Sequence, residues 1–466
     1  MLLFLQIERK VQICMKKSLA IYLSMLALVL TSCFDDVDDS VSSPYALLKS
    51  FGIGNITCEY PVFASDGADS TEIRTLQGAS CLFSINQVTG DVYNADSLPF
   101  ATRVDKVVVS MQLSGYAQIY VDSTDTFENF LSTDSLDFTT PRKFRITSGD
   151  DEYYKDYTVS VNVHQVDPER MAWDVYEPLD SVSTPLRVLE FNNRMCLFTE
   201  KEEQLMFAES SLTGEPSWSE ACPLEGLPAD AAVATIQRFG NSLYLAAADG
   251  VYVSADAKKW SLCYAVDGAL AIVGASDDDR MWVATTDSLF STTDGVSYVN
   301  EGALPAGFPV YGVSIASYKL NHNSDILRYM LVGYADKEMQ GKSSVWSRLS
   351  TEKVWTKYEN ENNAFSSPSL KGLTVMRYDN SLYAIGGAGV AQSENVGAFS
   401  SFYISRDNGI TWKAPEGFYQ RIPADLKGND APFVATVDSG NVMWIVCAGN
   451  NPVVCKGIIN RLGFKN

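Results

Sequence analysis

Two histidines, His164 and His322, are all the imidazole chemistry the chain holds. They stand far apart, and neither has the companions of a zinc site or of a Ser-His-Asp triad. No Walker loop, no G-x-G-x-x-G and no C-x-x-C occurs. Asp122-Ser123-Thr124-Asp125 lacks the spacing and glycine of a calcium-binding EF-hand loop. Asp277-Asp278-Asp279 reads most simply as a hairpin turn. Carboxylates are plentiful, with 57 Asp and Glu, but abundance singles out no acid–base pair. Catalytic, cofactor-binding and metal positions are therefore all expected to be absent, and no cofactor is expected. The remaining reactive type is cysteine. Seven follow Cys33, namely Cys58, Cys81, Cys196, Cys222, Cys263, Cys447 and Cys455. An odd number leaves at least one unpaired within the chain. Cys58 with Cys81 and Cys447 with Cys455 are the pairs that geometry would allow; the other reading is that most are buried apolar residues.

Cys33 is the one residue with a definite chemical role. Lys16-Lys17 forms a positive leader, residues 18–30 are apolar but too short to span a bilayer comfortably, and Leu30-Thr31-Ser32-Cys33 looks like a bacterial lipobox. Residues 1–32 are thus expected to be a lipoprotein signal peptide, with Met15 its natural start, and Cys33 the lipidation site. Stable anchoring needs more than one acyl chain. The acidic run Asp35-Asp36-Val37-Asp38-Asp39 lies in a tether over 33–44. It resembles the export signal of surface lipoproteins in Bacteroidota; the plain alternative is a solvated spacer. The expected address is the outer membrane, lipid-anchored and exposed at the cell surface, with the membrane itself a partner through Cys33.

The rest of the chain reads as a scaffold. Composition favours an all-β protein, with abundant glycine and aromatics and few long helical patterns. Residues 45–165 carry short strand-like runs, among them Lys106-Val107-Val108-Val109-Ser110-Met111 and Tyr157-Thr158-Val159-Ser160-Val161-Asn162-Val163. The second alternates with period two. Turns such as Thr89-Gly90-Asp91 separate the runs, and the pattern suggests an Ig-like β-sandwich. No Trp precedes Trp173, so the usual Cys–Trp–Cys core is missing. Val166-Asp167-Pro168-Glu169-Arg170 reads as a linker.

Residues 166–466 repeat. Ser405-Arg406-Asp407-Asn408-Gly409-Ile410-Thr411-Trp412 resembles the Asp-box turn of many β-propellers. Ser and Asp can accept from nearby backbone N–H groups, Gly409 can take positive φ, and Trp412 offers an apolar face. Weaker copies end at Trp218, Trp260, Tyr298 and Trp355. A second polar turn recurs upstream, as in Asn241-Ser242-Leu243-Tyr244 and Asn380-Ser381-Leu382-Tyr383. Two features in fixed order at a spacing of about 40–60 residues mark radial repetition. The expectation is a six-bladed β-propeller, seven blades being the runner-up. First strands are expected near 187–191, 233–238, 270–274, 310–316, 372–377 and 433–437. Met171-Ala172-Trp173-Asp174-Val175-Tyr176 would supply the missing strand of the last blade.

A net charge of −21 argues against nucleic acid as a partner. Gln420-Arg421-Ile422-Pro423 resembles the sialidase F-R-I-P motif, whose Arg holds the substrate carboxylate. Here Gln replaces Phe, and the motif follows the last Asp-box where in sialidases it precedes the first. Arg421 is accordingly read as a loop residue. The whole arrangement resembles a Bacteroidota surface lipoprotein family of unknown function, with an Ig-like N-terminal module and a C-terminal Asp-box propeller. The resemblance rests on the lipobox, on Phe83-Ser84-Ile85-Asn86 with Gly90-Asp91-Val92-Tyr93-Asn94 and Ser97-Leu98-Pro99, and on Asn460-Arg461-Leu462-Gly463-Phe464. It implies no activity. The expected function is a surface-anchored, non-catalytic binding or scaffold module for glycan or protein ligands. The alternative is a glycan-active enzyme, sialidase-like or another glycoside hydrolase.

Overall fold

The computed structural model describes residues 45–63, 69–177, 183–276, 279–320, 322–358, 363–415, 420–449 and 452–463. The signal segment 1–32, Cys33 and the tether 33–44 lie outside the described residues. Among the described residues no helix is long and apolar enough to cross a membrane. The chain divides into two compact units.

The N-terminal unit comprises residues up to Tyr60 and Ile73–His164. One of its sheets has three strands, Leu47–Ile53, Val107–Ser114 and Ser135–Leu136. The other has six, in the order Ser84–Ile85, Asp91–Tyr93, Tyr154–Ser160, Arg142–Thr147, Tyr116–Val121 and Thr126–Asn129. Alternation along Arg142–Thr147 turns Phe144 and Ile146 inward, where they join Leu48, Phe51, Val107 and Tyr157 in one core. Arg145 faces out and binds Asp156 on the neighbouring strand at 2.7 Å. Tyr157 ties the sheets together by accepting from the Leu48 N–H and donating to Gln87. The chain passes from one sheet to the other at Gly115, whose φ is +98°; a Cβ there would collide with the Thr147 carbonyl. The Ig-like expectation is corrected here. An Ig domain divides seven antiparallel strands four and three, whereas the described strands divide three and six beside a separate pair, Ile56–Phe63 with Asp69–Leu76, and Asp91–Tyr93 runs parallel to Tyr154–Ser160. Short strands at regular spacing announce how many strands there are, not how they pair.

The C-terminal unit, Pro61–Glu72 with Gln165–Asn466, contains six antiparallel sheets in chain order. Their first strands are Thr184–Phe191, Gln237–Phe239, Ala269–Ser276, Tyr311–Leu320, Thr374–Tyr378 and Phe433–Val437. Met171–Tyr176 pairs antiparallel with Val453–Ile459 and completes the sixth sheet. Apolar side chains join each sheet to two others. Phe198 and Leu189 of the first meet Leu243 and Trp260 of the second. Tyr244 of the second meets Met281 of the third, and Trp282 of the third meets Tyr329 of the fourth. Val345 of the fourth meets Trp412 of the fifth, and Tyr383 of the fifth meets Ile445 of the sixth. Trp444 of the sixth meets Val188 of the first.

The expected propeller, of six blades or seven, is likewise corrected. Among the described residues no sheet closes on itself into a propeller or barrel; all are open, and no hydrogen-bonded ladder runs from one to the next. Among the described residues the fifth sheet has three strands, Thr374–Tyr378, Ser381–Ile385 and Tyr403–Ser405, and a bridge between Ile404 and Lys413. Sequence repeats report local hairpins, while closure is a long-range property that they do not encode.

The turn at 405–412 forms as its residues require. Asp407 accepts from Ser405 Oγ (2.9 Å), the Thr411 N–H (2.8 Å) and Thr411 Oγ1 (2.6 Å), and Ser405 Oγ accepts from the Gly409 N–H at 2.8 Å. Thr292 and Asp294 repeat the device: Gly295 N donates to Thr292 Oγ1, and Val296 N and Ser297 N donate to Asp294. The Ser297 and Val296 N–H groups hold the Asp294 carboxyl down to about 2. Burial pushes Asp407 up, but its bonds from Thr411 prevail and leave it below the ordinary carboxylate value. Both groups are depressed from an unfolded value of about 3.9, so their contribution is complete above that value and is lost as pH falls through the folded values. Stability of the C-terminal unit is therefore expected to drop between about pH 4 and about pH 2. Tryptophan fluorescence in a fixed urea concentration checks this, because all eight tryptophans lie between Trp173 and Trp444. Asp294→Ala should begin less stable at pH 7 and lose less across that window.

Candidate functional site

Asn363, Phe365 and the 405–412 hairpin together build a cavity beside the incomplete edge of the fifth sheet. The Trp412 N–H donates to the Phe365 carbonyl at 2.8 Å, the Asn363 side-chain amide donates to the Ile410 carbonyl at 2.7 Å, and Phe365 N donates to Asn363 Oδ1 at 2.9 Å. These bonds fix the segment carrying Phe365 against the hairpin. The cavity measures about 650 Å³ and its wall includes Phe365, Tyr403, Gln392, Asn363, Lys342 and Lys413. Trp412 is buried beneath it, whereas the Phe365 ring is 50% exposed. Lys413 Nζ stands 4.6 Å from that ring's centroid. Gln392 is oriented by donation to the Ser367 carbonyl at 3.1 Å. Burial raises the Tyr403 hydroxyl above its ordinary pKa, which keeps it a protonated donor. An exposed aromatic face among amides, hydroxyls and two lysines suits the apolar face and polar rim of a sugar ring.

Among the described residues no Asp or Glu lines this cavity. Hydrolysis by a carboxylate pair requires two carboxyl groups about 5–9.5 Å apart across the bond to be broken. The described wall residues offer binding groups.

The residues singled out from sequence are dispersed. His164 belongs to the N-terminal unit, where its N–H donates to the Leu98 carbonyl. His322 lines a second cavity of about 540 Å³, together with Arg328, Arg377 and Arg406. Arg421 is exposed and lines neither cavity; its carbonyl accepts from Trp173 Nε1 at 2.6 Å. Asp125 accepts from the Tyr120 hydroxyl and Asp279 from that of Tyr329. Asp277 and Asp278 lie outside the described residues. Among the described residues no three His, Cys, Asp or Glu side chains converge as metal ligands would. All seven cysteines after Cys33 are free thiols, which corrects the two suggested pairs. Cys447 stands opposite Val453, and Cys455 opposite Ile445, so their side chains are not cross-strand partners. Burial pushes the Cys196 and Cys455 thiols up to about 12 and Cys447 to about 11, out of the reactive range. Phe365, Tyr403 and Gln392 escaped sequence reasoning. Their only signal was the aromatic-and-amide composition of two stretches without periodicity.

Two family descriptions match the chain. One, "DUF6242 beta propeller domain", covers residues 167–466; the other, a domain of unknown function that is the DUF6242 N-terminal domain, covers residues 54–161. The first name is the family's; the sheets of this chain are the six open ones described above. No curated protein matches. Among solved structures, the chain is similar to a catalytically inactive virginiamycin B lyase from Staphylococcus aureus with quinupristin, at 12% identity and TM-score 0.34, covering 63% of this chain and 90% of that one. It is similar to an alpha-L-arabinofuranosidase from Fusarium graminearum at 12% identity and TM-score 0.36, covering 62% and 97%. The WD40 domain of Toxoplasma gondii coronin follows at 11% identity and TM-score 0.32, covering 62% and 87%. Likeness at this level transfers no activity.

Proposed function

We propose the following for a chain that belongs to the DUF6242 family, and so comes with no assigned activity: it is a surface lipoprotein of the Bacteroidota kind that binds glycan without cleaving it. Acyl chains on Cys33 hold it to the outer membrane, and the acidic tether after Cys33 directs it outward. The leader Lys16-Lys17, the apolar run and Leu30-Thr31-Ser32-Cys33 support the anchor. The observation that carries the binding role is the cavity at Phe365, where a half-exposed ring stands among amides and hydroxyls. Neutral glycans are the ligands this chemistry favours.

The test uses the mature chain made soluble by Cys33→Ser, applied to an array of neutral glycans. At least one class should be retained, with no new reducing ends released. Phe365→Ala should weaken that binding by about three- to tenfold, the range expected for one aromatic stacking contact. Release of sugar from a retained glycan, or undiminished binding by Phe365→Ala, would sink the reading.

A further inference from the structure

The second cavity calls for a different ligand. It lies between the turn joining Tyr311–Leu320 to Asn323–Tyr334 in the fourth sheet and the turns at 379–380 and 405–408 in the fifth. Its wall carries Lys319, His322, Arg328, Arg377 and Arg406, with Tyr318 beside them, and among the described residues no Asp or Glu. The chain as a whole has 57 acidic residues against 36 Lys and Arg, so this concentration of one sign runs against its composition. None of the three arginines makes an ion pair among the described residues, although other arginines here do, such as Arg461 with Glu169 and Arg348 with Glu301.

The donors are oriented yet incompletely used. Arg377 donates once, to the Ser317 carbonyl at 2.9 Å, and its guanidinium stands 5.6 Å from the Tyr318 ring centroid. Arg328 donates to Ser347 Oγ at 3.2 Å, while its Nε is buried without a partner. The Tyr318 hydroxyl is also buried without a partner. Burial raises its pKa, so it stays protonated and can donate. Arg406 occupies the variable position after Ser405 in the 405–412 turn. The turn's bonds hold its backbone while its side chain remains exposed. A guanidinium has five N–H donors in a fixed fork. Several of them facing one polar cavity, beside two orphaned buried atoms, describe a site for oxygen acceptors that bear negative charge.

We propose that this cavity is an oxyanion site, taking a carboxylate or sulfate group, with Arg377 and Arg406 reaching it from the rim and Arg328 and Tyr318 from the wall. The reading is independent of the Phe365 cavity. A net negative protein would then hold one local basin of positive potential, and its ligand would be selected by charge more than by shape.

Titration calorimetry on the mature chain, with glucuronate, inorganic sulfate, galactose 6-sulfate and glucose as probes, separates the sources of the anion. In the Phe365→Ala background, which removes the neutral-sugar cavity, at least one charged probe should bind and glucose should not. Preference for glucuronate identifies a carboxylate ligand, and preference for galactose 6-sulfate a sulfated sugar. Equal affinity for inorganic sulfate identifies a free anion. Arg377→Ala and Arg406→Ala should each weaken binding by about tenfold or more, and Arg377→Lys by less, because a point charge keeps attraction but loses the fork. Both side chains are exposed, so thermal unfolding of these variants should match the parent. Charged probes binding no better than glucose, or a double Arg377→Ala, Arg406→Ala variant binding like the parent, would overturn the proposal. The Phe365→Ala variant should bind the charged probes normally, which keeps the two sites distinguishable.

Discussion

Glu301→Ala should destabilise the C-terminal unit by about 3–5 kcal/mol. Glu301 lies on the outer strand of the third sheet, Val299–Ala303, and its side chain is 11% exposed. Arg348, on Ser344–Leu349 of the fourth sheet, is 4% exposed and meets Glu301 at 2.6 Å. Arg280 approaches the other carboxylate oxygen at 3.5 Å. The Arg348 guanidinium also donates to the Glu352 carbonyl and stands 5.8 Å from the Trp282 ring and 6.0 Å from Trp355. Removing the carboxylate leaves that cation buried among aromatic rings with no counter-charge. Removing both partners, as Glu301→Leu with Arg348→Met, also removes the cost of desolvating the charges. The double variant should therefore recover much of the loss. Urea unfolding followed by tryptophan fluorescence provides the comparison. A double variant as unstable as Glu301→Ala would mean that packing, not charge, sets the penalty.

Trp444→Ala should cost a similar amount, about 3–5 kcal/mol, for a different reason. Trp444 is fully buried between the sixth and first sheets, against Val188, Leu197, Val446 and Val454. Its Nε1–H donates to Asp438 Oδ2 at 2.8 Å. Asp438 is itself 7% exposed, and its other oxygen accepts from the Gly440 and Val442 N–H groups at 2.9 Å. Lys456 Nζ stands 4.3 Å from the ring centroid. Alanine opens a cavity and strips one oxygen of a buried carboxylate. Phenylalanine fills most of the space but loses the N–H, so Trp444→Phe should cost less, about 1.5–3 kcal/mol for a bond to a charged group. The same urea experiment should rank alanine below phenylalanine and phenylalanine below the parent. Equal losses would place the whole effect in the hydrogen bond.

Much of the local structure was legible in the sequence. The 405–412 turn could be read because Ser405, Asp407, Gly409 and Trp412 each serve the turn itself. The strand at Met171–Tyr176 and the starts of five of the six sheets could be read because polar turns precede alternating apolar runs; at 233–238 the chain instead begins with a 3-10 turn, Val233–Thr235, and the strand is Gln237–Phe239. What resisted reading was long-range. Nothing in Asp91–Tyr93 says that it runs parallel to a strand beginning at Tyr154, and hairpin repeats could not reveal that every sheet stays open. The sites were hidden for the same reason. His322 looked solitary because Arg328, Arg377 and Arg406 approach it through the fold, and Phe365 sits in a stretch without period. Arg421 drew attention by its motif alone, and the fold leaves it exposed outside both cavities.

The sixth sheet also sets a clock. Its outer strand, Met171–Tyr176, is synthesised before the other five sheets, and its partner, Val453–Ile459, after them. The bond from the Asn460 side chain to the Asp167 carbonyl, beside that pairing, spans 293 residues. At a synthesis rate of about 5–20 residues per second, the early strand exists for on the order of 15–60 s before its neighbour does. The intervening sheets are built from hairpins whose strands emerge close together, so each can form in turn. The sixth cannot be completed until Val453–Ile459 has been made. Through that interval Met171–Tyr176 is an edge with an unpaired backbone, and Asp174 places a charge at its middle, the kind of residue that keeps a waiting strand from pairing with the wrong chain.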